Sequence, residues 1–203
     1  MTISAQDRER ISLAIRSAEA KTSGEIVCVL AQSSSDATAL PVFLAAMAAL
    51  ALPWLLVGFT VMTVQRILSL QIVLFFASMA VLCLPQVRVA LMPRKTRRAA
   101  AYRVAMEQFA SRGIARKAER SGILIFVSLA ERYARIIADE GIAARVPQSE
   151  WQTTVDALVA HMRDGRIADG FVTAIEICGN NLARHFPRTA TSRDDLADRI
   201  YLI

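Results

Sequence analysis

Two adjacent carboxylates, Asp139 and Glu140, stand directly before Gly141 at the end of the run YARIIA. Carboxylate oxygens are the hard donors that calcium and magnesium select, and a tight turn can aim two of them at one point. Glu25, which opens the run EIVCVLA, is a third acid within reach of such a site if its strand lies nearby. Asp164 and Asp169, which flank Arg166 in RDGRIADG, are two more. A divalent cation held by some of these carboxylates is the first reading. The other reading is structural: acids before or beside glycines are common turn and helix-end residues. Both stand at this level, with calcium or magnesium as the cofactor of the first.

Other routes to catalysis lack their residues. No stretch has the spacing of a phosphate-binding loop, a dinucleotide fingerprint, a zinc site or a nucleophile elbow. His161 and His185 fall on separate helical segments without evident partners. Cys28, Cys83 and Cys178 share no ligand-like spacing and read as reduced, structural cysteines.

The elements that must position the acids are interrupted by the most apolar part of the chain. With 203 residues, 54% of them hydrophobic, and a mean hydropathy of +0.37, the chain is too apolar for an ordinary soluble domain. The excess lies between residues 37 and 87, where two runs, about 40–64 and 67–87, contain no Asp, Glu, Lys, Arg or His. A spanning helix needs roughly 20 predominantly apolar residues, and each run supplies them. This predicts a transmembrane hairpin turning at residues 65–69. Arg66 then belongs at the far headgroups, since a charge at the bilayer centre costs about 2.5–3.5 kcal/mol on insertion scales. Uncharged spans offer no ion pathway, which argues against a transporter.

Between Arg88 and Arg120 there are ten basic residues and two acidic ones. Excess Lys and Arg flank spans on the cytoplasmic side, so Arg88, Arg94, Lys95, Arg97 and Arg98 place this end inside, and two spans place the N-terminus inside as well. The same rule accounts for the charge without nucleic acid, for which no aromatic platform or motif is present. Residues 1–21 carry scattered charges and no continuous apolar core, unlike a secretory signal.

Around the hairpin the pattern is α/β. An amphipathic helix with Ile11, Ile15 and Ala18 at helical spacing starts at Ser4, with Asp7 completing a weak capping box. Glu25–Ala31 and Gly122–Ser128 (GILIFVS) read as buried strands, and Tyr133–Ala138 follows a turn at 130–132 as an antiparallel partner. The long crossover between the first two permits parallel pairing, giving a mixed sheet of at least three strands. A helix over 97–112 is expected to face inward with Tyr102, Met106 and Phe109 and to stop at Gly113. Two helices close the chain. The first is capped by Ser149, buries Trp151, Val155, Leu158, Val159 and Met162, and ends at Gly165. The second buries Phe171, Ile175, Cys178 and Leu182. Domain boundaries follow: 1–36 and 88–188 form one α/β domain, 37–87 the hairpin, and 189–203 a polar C-terminal tail.

The segments SGEIVCVLA, SGILIFVSLAERYARIIADEGIAARVPQSEW and RDGRIADGFVTAIEICG together resemble the TPM domain family, a group that includes thylakoid-lumen phosphatase-like, photosystem II repair and receptor accessory proteins. The resemblance implies an α/β sandwich with a central mixed sheet. It also implies that acidic residues in loops near the sheet could bind calcium and support weak phosphatase activity, roles that by position fall to Asp139 and Glu140, then Asp164 and Asp169. The chain departs from the family in carrying two spans inside the domain and in charges that place the domain in the cytosol, where calcium is scarce. It looks like a bacterial, membrane-embedded branch.

The function expected from these features is that of a cytosol-facing accessory or interaction module for other membrane proteins, without catalysis. The alternative is the weak divalent-metal phosphatase. The expected location is the bacterial inner membrane, with the lipid bilayer and other membrane proteins as partners. Topology reporters fused near Met1 and after Ile203 should both report the cytoplasm, and a periplasmic signal from either would overturn the charge argument.

Overall fold

The computed structural model describes residues 3–34, 39–60, 62–84, 87, 91–114, 121–188 and 198–203. They form two compact units: residues 1–34 with 101–203, and residues 35–100. In chain order the elements are α1 (Ala5–Glu19), β1 (Glu25–Ala31), α2 (Ala39–Phe59), α3 (Val64–Leu82), α4 (Arg94–Ser111), β2 (Gly122–Ser128) and β3 (Tyr133–Ala138). They continue with α5 (Glu140–Ala143), α6 (Gln148–Arg163), α7 (Ile167–His185) and β4 (Ile200–Leu202). The division between units falls within α4.

The first unit is built on a mixed sheet of order β3-β2-β1-β4. β1 pairs in parallel with β2, Glu25 opposite Gly122 and Ala31 opposite Ser128, and β2 pairs antiparallel with β3. β1 and β2 are buried at every residue. Continuous runs of Val, Ile and Leu mark strands covered on both faces, and alternation along each strand assigns the two faces. Ile26, Cys28, Leu30, Ile123, Ile125 and Val127 meet Ile11 and Ile15 of α1, Trp151 and Leu158 of α6, and Phe171, Ile175, Cys178 and Leu182 of α7. Val27, Val29, Ala31, Leu124 and Phe126 meet Ala101, Ala105 and Phe109 of α4, together with Ile114. The fold is an α/β sandwich with helices on both faces, as the sequence pattern and the family resemblance imply.

Several local expectations give way to packing. The buried face of α4 is Ala101, Ala105 and Phe109, whereas Tyr102 and Met106 are exposed. Two alanines one turn apart let the helix axis lie close to the sheet, which a face of large side chains would prevent. α6 begins after Pro147, whose extended backbone and carbonyl occupy the cap position. Ser149 therefore lies inside the helix. The polar tail ends in structure: Ile200–Leu202 pairs in parallel with β1, Cys28 opposite Ile200, while residues 189–197 lie outside the described part. Ile200 joins one core face and Tyr201 the other.

In the second unit α2 and α3 are antiparallel neighbours in sequence and pack on each other. Residues Pro41–Phe59 and Val64–Leu82 are long and apolar enough to cross a membrane, and they are only 11% and 6% buried. α2 ends at Phe59 and α3 starts at Val64, with Thr63 at its N-cap. The expected turn at 65–69 is instead the first helical turn and beyond. The second apolar helix ends at Leu82, short of residue 87.

α1 and α7 cross closely at Gly179, where an added Cβ would stand 2.6 Å from Ala18 Cβ. Gly179→Ala should lower stability by about 1–3 kcal/mol through overpacking, measured by denaturation of the full chain in detergent. Ala18→Gly in the same molecule should recover part of the loss. A Gly179→Ala variant as stable as the parent would contradict this crossing.

Candidate functional site

Polar side chains of the α/β unit gather at the two ends of the parallel pair β1–β2. Open α/β sheets commonly place ligands at the carboxyl ends of their strands. Here that end carries Ser33 and Ser34 after β1, and Ser128 and Glu131 at the close of β2 and in the turn that follows. The β1–β2 register leaves Ala31 beside Ser128, so the residues leaving both strands converge.

Glu131, 5% exposed, is the centre of this cluster. Its Oε1 accepts the Ser33 hydroxyl at 3.1 Å, and its Oε2 accepts the Ser34 backbone N–H at 3.0 Å together with the Ser128 hydroxyl. The Ser34 hydroxyl donates to Ser128 Oγ at 2.9 Å. A nearly buried carboxylate is tolerated only when donors replace its water, and three are supplied within the chain. The turn that presents Glu131 is tight, and Arg132 takes a left-handed φ of 50° with its N–H on the Leu129 carbonyl. Chemically, the cluster is a set of hard oxygens containing one carboxylate. Its visible work is to fasten the segment leaving β1 to the turn leaving β2.

The opposite end holds the acids singled out in the sequence. Glu25 is buried at the start of β1, and its N–H bonds to the Ser121 carbonyl. Asp139 is buried just past β3, with its N–H on the Gly122 carbonyl. Alternation places both on the sheet face of Val27 and Ile137, but β2 lies between their strands, a backbone separation of roughly 10 Å. Asp139 is a helix cap: Oδ1 accepts the Glu140 N–H at 2.7 Å, starting the four-residue α5. The cap orients Asp139 inward, while Glu140 is exposed on the first turn. The acidic turn is therefore a helix start.

Asp164 and Asp169 separate as well. Asp164 pairs with Arg166 at 2.8 Å and Asp169 with Arg10 of α1 at 2.8 Å. The hydrogen bond from Arg10, with its charge, holds the Asp169 carboxyl below its ordinary value. Among the described residues no group of three or more His, Cys, Asp or Glu is arranged to hold a metal ion.

Of the remaining nucleophile and base candidates, His161, Cys28 and Cys178 are occupied or suppressed. His161 Nδ1 lies 2.9 Å from the Ala157 carbonyl on its own helix. Burial pushes the Cys28 and Cys178 thiols up, away from the reactive thiolate. The Glu131 cluster is the feature that reading along the chain misses. Its members are far apart in sequence, and extending the β1–β2 register past both strand ends is the operation that finds them.

Comparison with known proteins places this architecture. The family model of the TPM domain matches residues 83–180. That match begins where α3 ends, so β1 lies on the other side of the apolar insertion. Among solved structures the chain is similar to the BA42 protein from the psychrophilic bacterium Bizionia argentinensis, determined by NMR. The TM-score is 0.64 and the identity 21%, and the likeness covers 100% of this chain and 97% of that one. At this identity the likeness shows the fold. No curated protein matches the chain.

Truncating Glu131 to Ala should leave Ser33, Ser34 and Ser128 without their common acceptor, at a cost of about 1–3 kcal/mol. Amide exchange should accelerate at Ser34 before the core strands respond. Unchanged exchange there would show that the carboxylate does not hold this segment.

Proposed function

We propose, for a chain that carries a TPM domain, the role of a membrane-anchored accessory module that presents its α/β domain to other membrane proteins at the cytoplasmic face. The observation that carries this reading is the pair of helices Pro41–Phe59 and Val64–Leu82, with mean hydropathies of 2.3 and 1.7 and almost no burial. Trp54 and Phe59 are more than four-fifths exposed. Apolar patches of this extent on a protein in water mark an interaction or membrane surface. In a bilayer the same side chains meet lipid.

The hairpin lies between β1 and α4, so the chain of the α/β domain leaves for it and returns from it. A domain connected through two chain segments is suited to a fixed station beside a partner rather than a wide search on a single tether. The excess of Lys and Arg after the second helix favours a cytoplasmic domain. An accessory role, rather than catalysis, is supported by the employment of Asp139 as a cap and of Asp164 and Asp169 in ion pairs, and by the buried Cys28 and Cys178 thiols held protonated.

Two measurements test this reading together. The chain should remain in the membrane pellet after alkaline carbonate extraction, and crosslinking in native membranes should recover a recurrent membrane-protein partner by mass spectrometry. Release into the supernatant would refute the anchoring. Metal-dependent hydrolysis of a phosphomonoester, abolished by Asp139→Ala, would refute the non-catalytic role and install the phosphatase in its place.

A further inference from the structure

The first turns of α4 hold Arg94, Lys95, Arg97 and Arg98, in the same compact unit as the two apolar helices. Arg94, Lys95 and Arg98 are exposed and Arg97 is half-buried. No acid occurs in the helix before Glu107. Among the described residues no carboxylate forms an ion pair with any of the four, and Arg97 Nε is shielded from solvent without a hydrogen-bond acceptor. This is an assembly of charge that no carboxylate among the described residues balances.

Taken alone, the arrangement opposes its own helix. Arg94 with Arg97 and Arg98, and Lys95 with Arg98, are like charges three and four residues apart, where they repel on a helix surface. They also crowd the positive end of the helix dipole, which favours anions. Pro93, whose carbonyl receives the Arg97 N–H, brings no side-chain acceptor to the free N–H groups of the first turn. A local conflict repeated on three counts is relieved by an anion from outside the chain.

We infer that this cationic patch docks on the phosphate-bearing headgroups of anionic lipids. The inference rests on the membrane-anchored reading above. Residues 83–93 join the end of α3 to the patch, so anchoring through α2 and α3 holds it at high effective concentration near headgroups. Juxtamembrane basic clusters bind anionic leaflets through this balance of charge. The consequence is a site with a lipid preference: α4 is completed by the membrane at its basic N-terminal turns and by the sheet, through Ala101, Ala105 and Phe109, along its later turns.

The test uses the full chain reconstituted into vesicles of phosphatidylcholine containing a minor fraction of phosphatidylglycerol, then solubilised, with the retained lipid quantified by mass spectrometry. The parent protein should be enriched in phosphatidylglycerol. The variant Arg94→Gln/Lys95→Gln/Arg97→Gln/Arg98→Gln should lose at least about tenfold of that enrichment, since each cation near the surface contributes roughly five-fold. A control, Arg8→Gln/Arg163→Gln/Arg184→Gln, removes exposed charges elsewhere and should keep it. Raised salt should reduce the parent's preference by screening. Insertion into phosphatidylcholine with no preference for phosphatidylglycerol, or equal loss in variant and control, would overturn this inference and leave the anchoring intact. Failure to insert in either vesicle would overturn both.

Discussion

Strand β1 stands between two parallel partners, one beginning at Gly122 and the other at Ile200, and every one of its seven residues is buried. The rest of the α/β unit depends on that placement. Each face of β1 needs cover, and the cover comes from helices on both sides of the apolar insertion in sequence. One is α1 before it; α4, α6 and α7 lie after it. A central strand so enclosed forms only when chain segments far apart in sequence meet. Closing the β1–β2 pair therefore joins segments that stand on either side of the inserted hairpin in sequence.

The polar residues at both ends of β1 follow from the same pairing. At the carboxyl end Glu131 gathers three donors and fastens the segment that leads out of the sheet. At the amino end Glu25 and Asp139 occupy the start of β1 and the end of β3. For Glu131 and Asp139 the nearest chemical work is structural: a carboxylate replacing water for buried N–H and O–H groups, or starting a helix. Turn-forming and metal-ligating acids look alike along a chain because both need short carboxylate side chains near a change of backbone direction. They differ in whether the oxygens converge on a common point. Here Asp139 points into the fold while Glu140 stays at the surface, and Asp164 and Asp169 are taken up by different arginines.

α4 is the element with the most divided surroundings. Its C-terminal half is fitted to the sheet by alanines one turn apart and a phenylalanine, and its N-terminal turns carry unbalanced positive charge. The proposed anchoring through α2 and α3 gives that charge a natural counterpart in an anionic leaflet. Under that proposal the helix serves the folded domain at one end and the membrane surface at the other.

Much of this was legible in the sequence, for a physical reason in each case. Continuous Val, Ile and Leu runs announced β1 and β2 because strands covered on both faces have no polar side. The 3.6-residue recurrence of Ile11, Ile15 and Ala18, and of Phe171, Ile175, Cys178 and Leu182, announced α1 and α7 because only one face of each is buried. The charge-free stretches announced two helices able to cross a membrane. Other features needed the tertiary structure. β4 is three residues long, too short for any period, and owes its existence to the free edge of β1. The inward face of α4 is chosen by how closely it approaches the sheet, which favours Ala101 and Ala105 over the larger Tyr102 and Met106. Glu131 and its serines come together only through the β1–β2 register. Sequence thus determined what each segment could be, because local periodicity and hydropathy act over one element. Tertiary structure decided which carboxylates meet, because that depends on the register between strands separated by the whole hairpin.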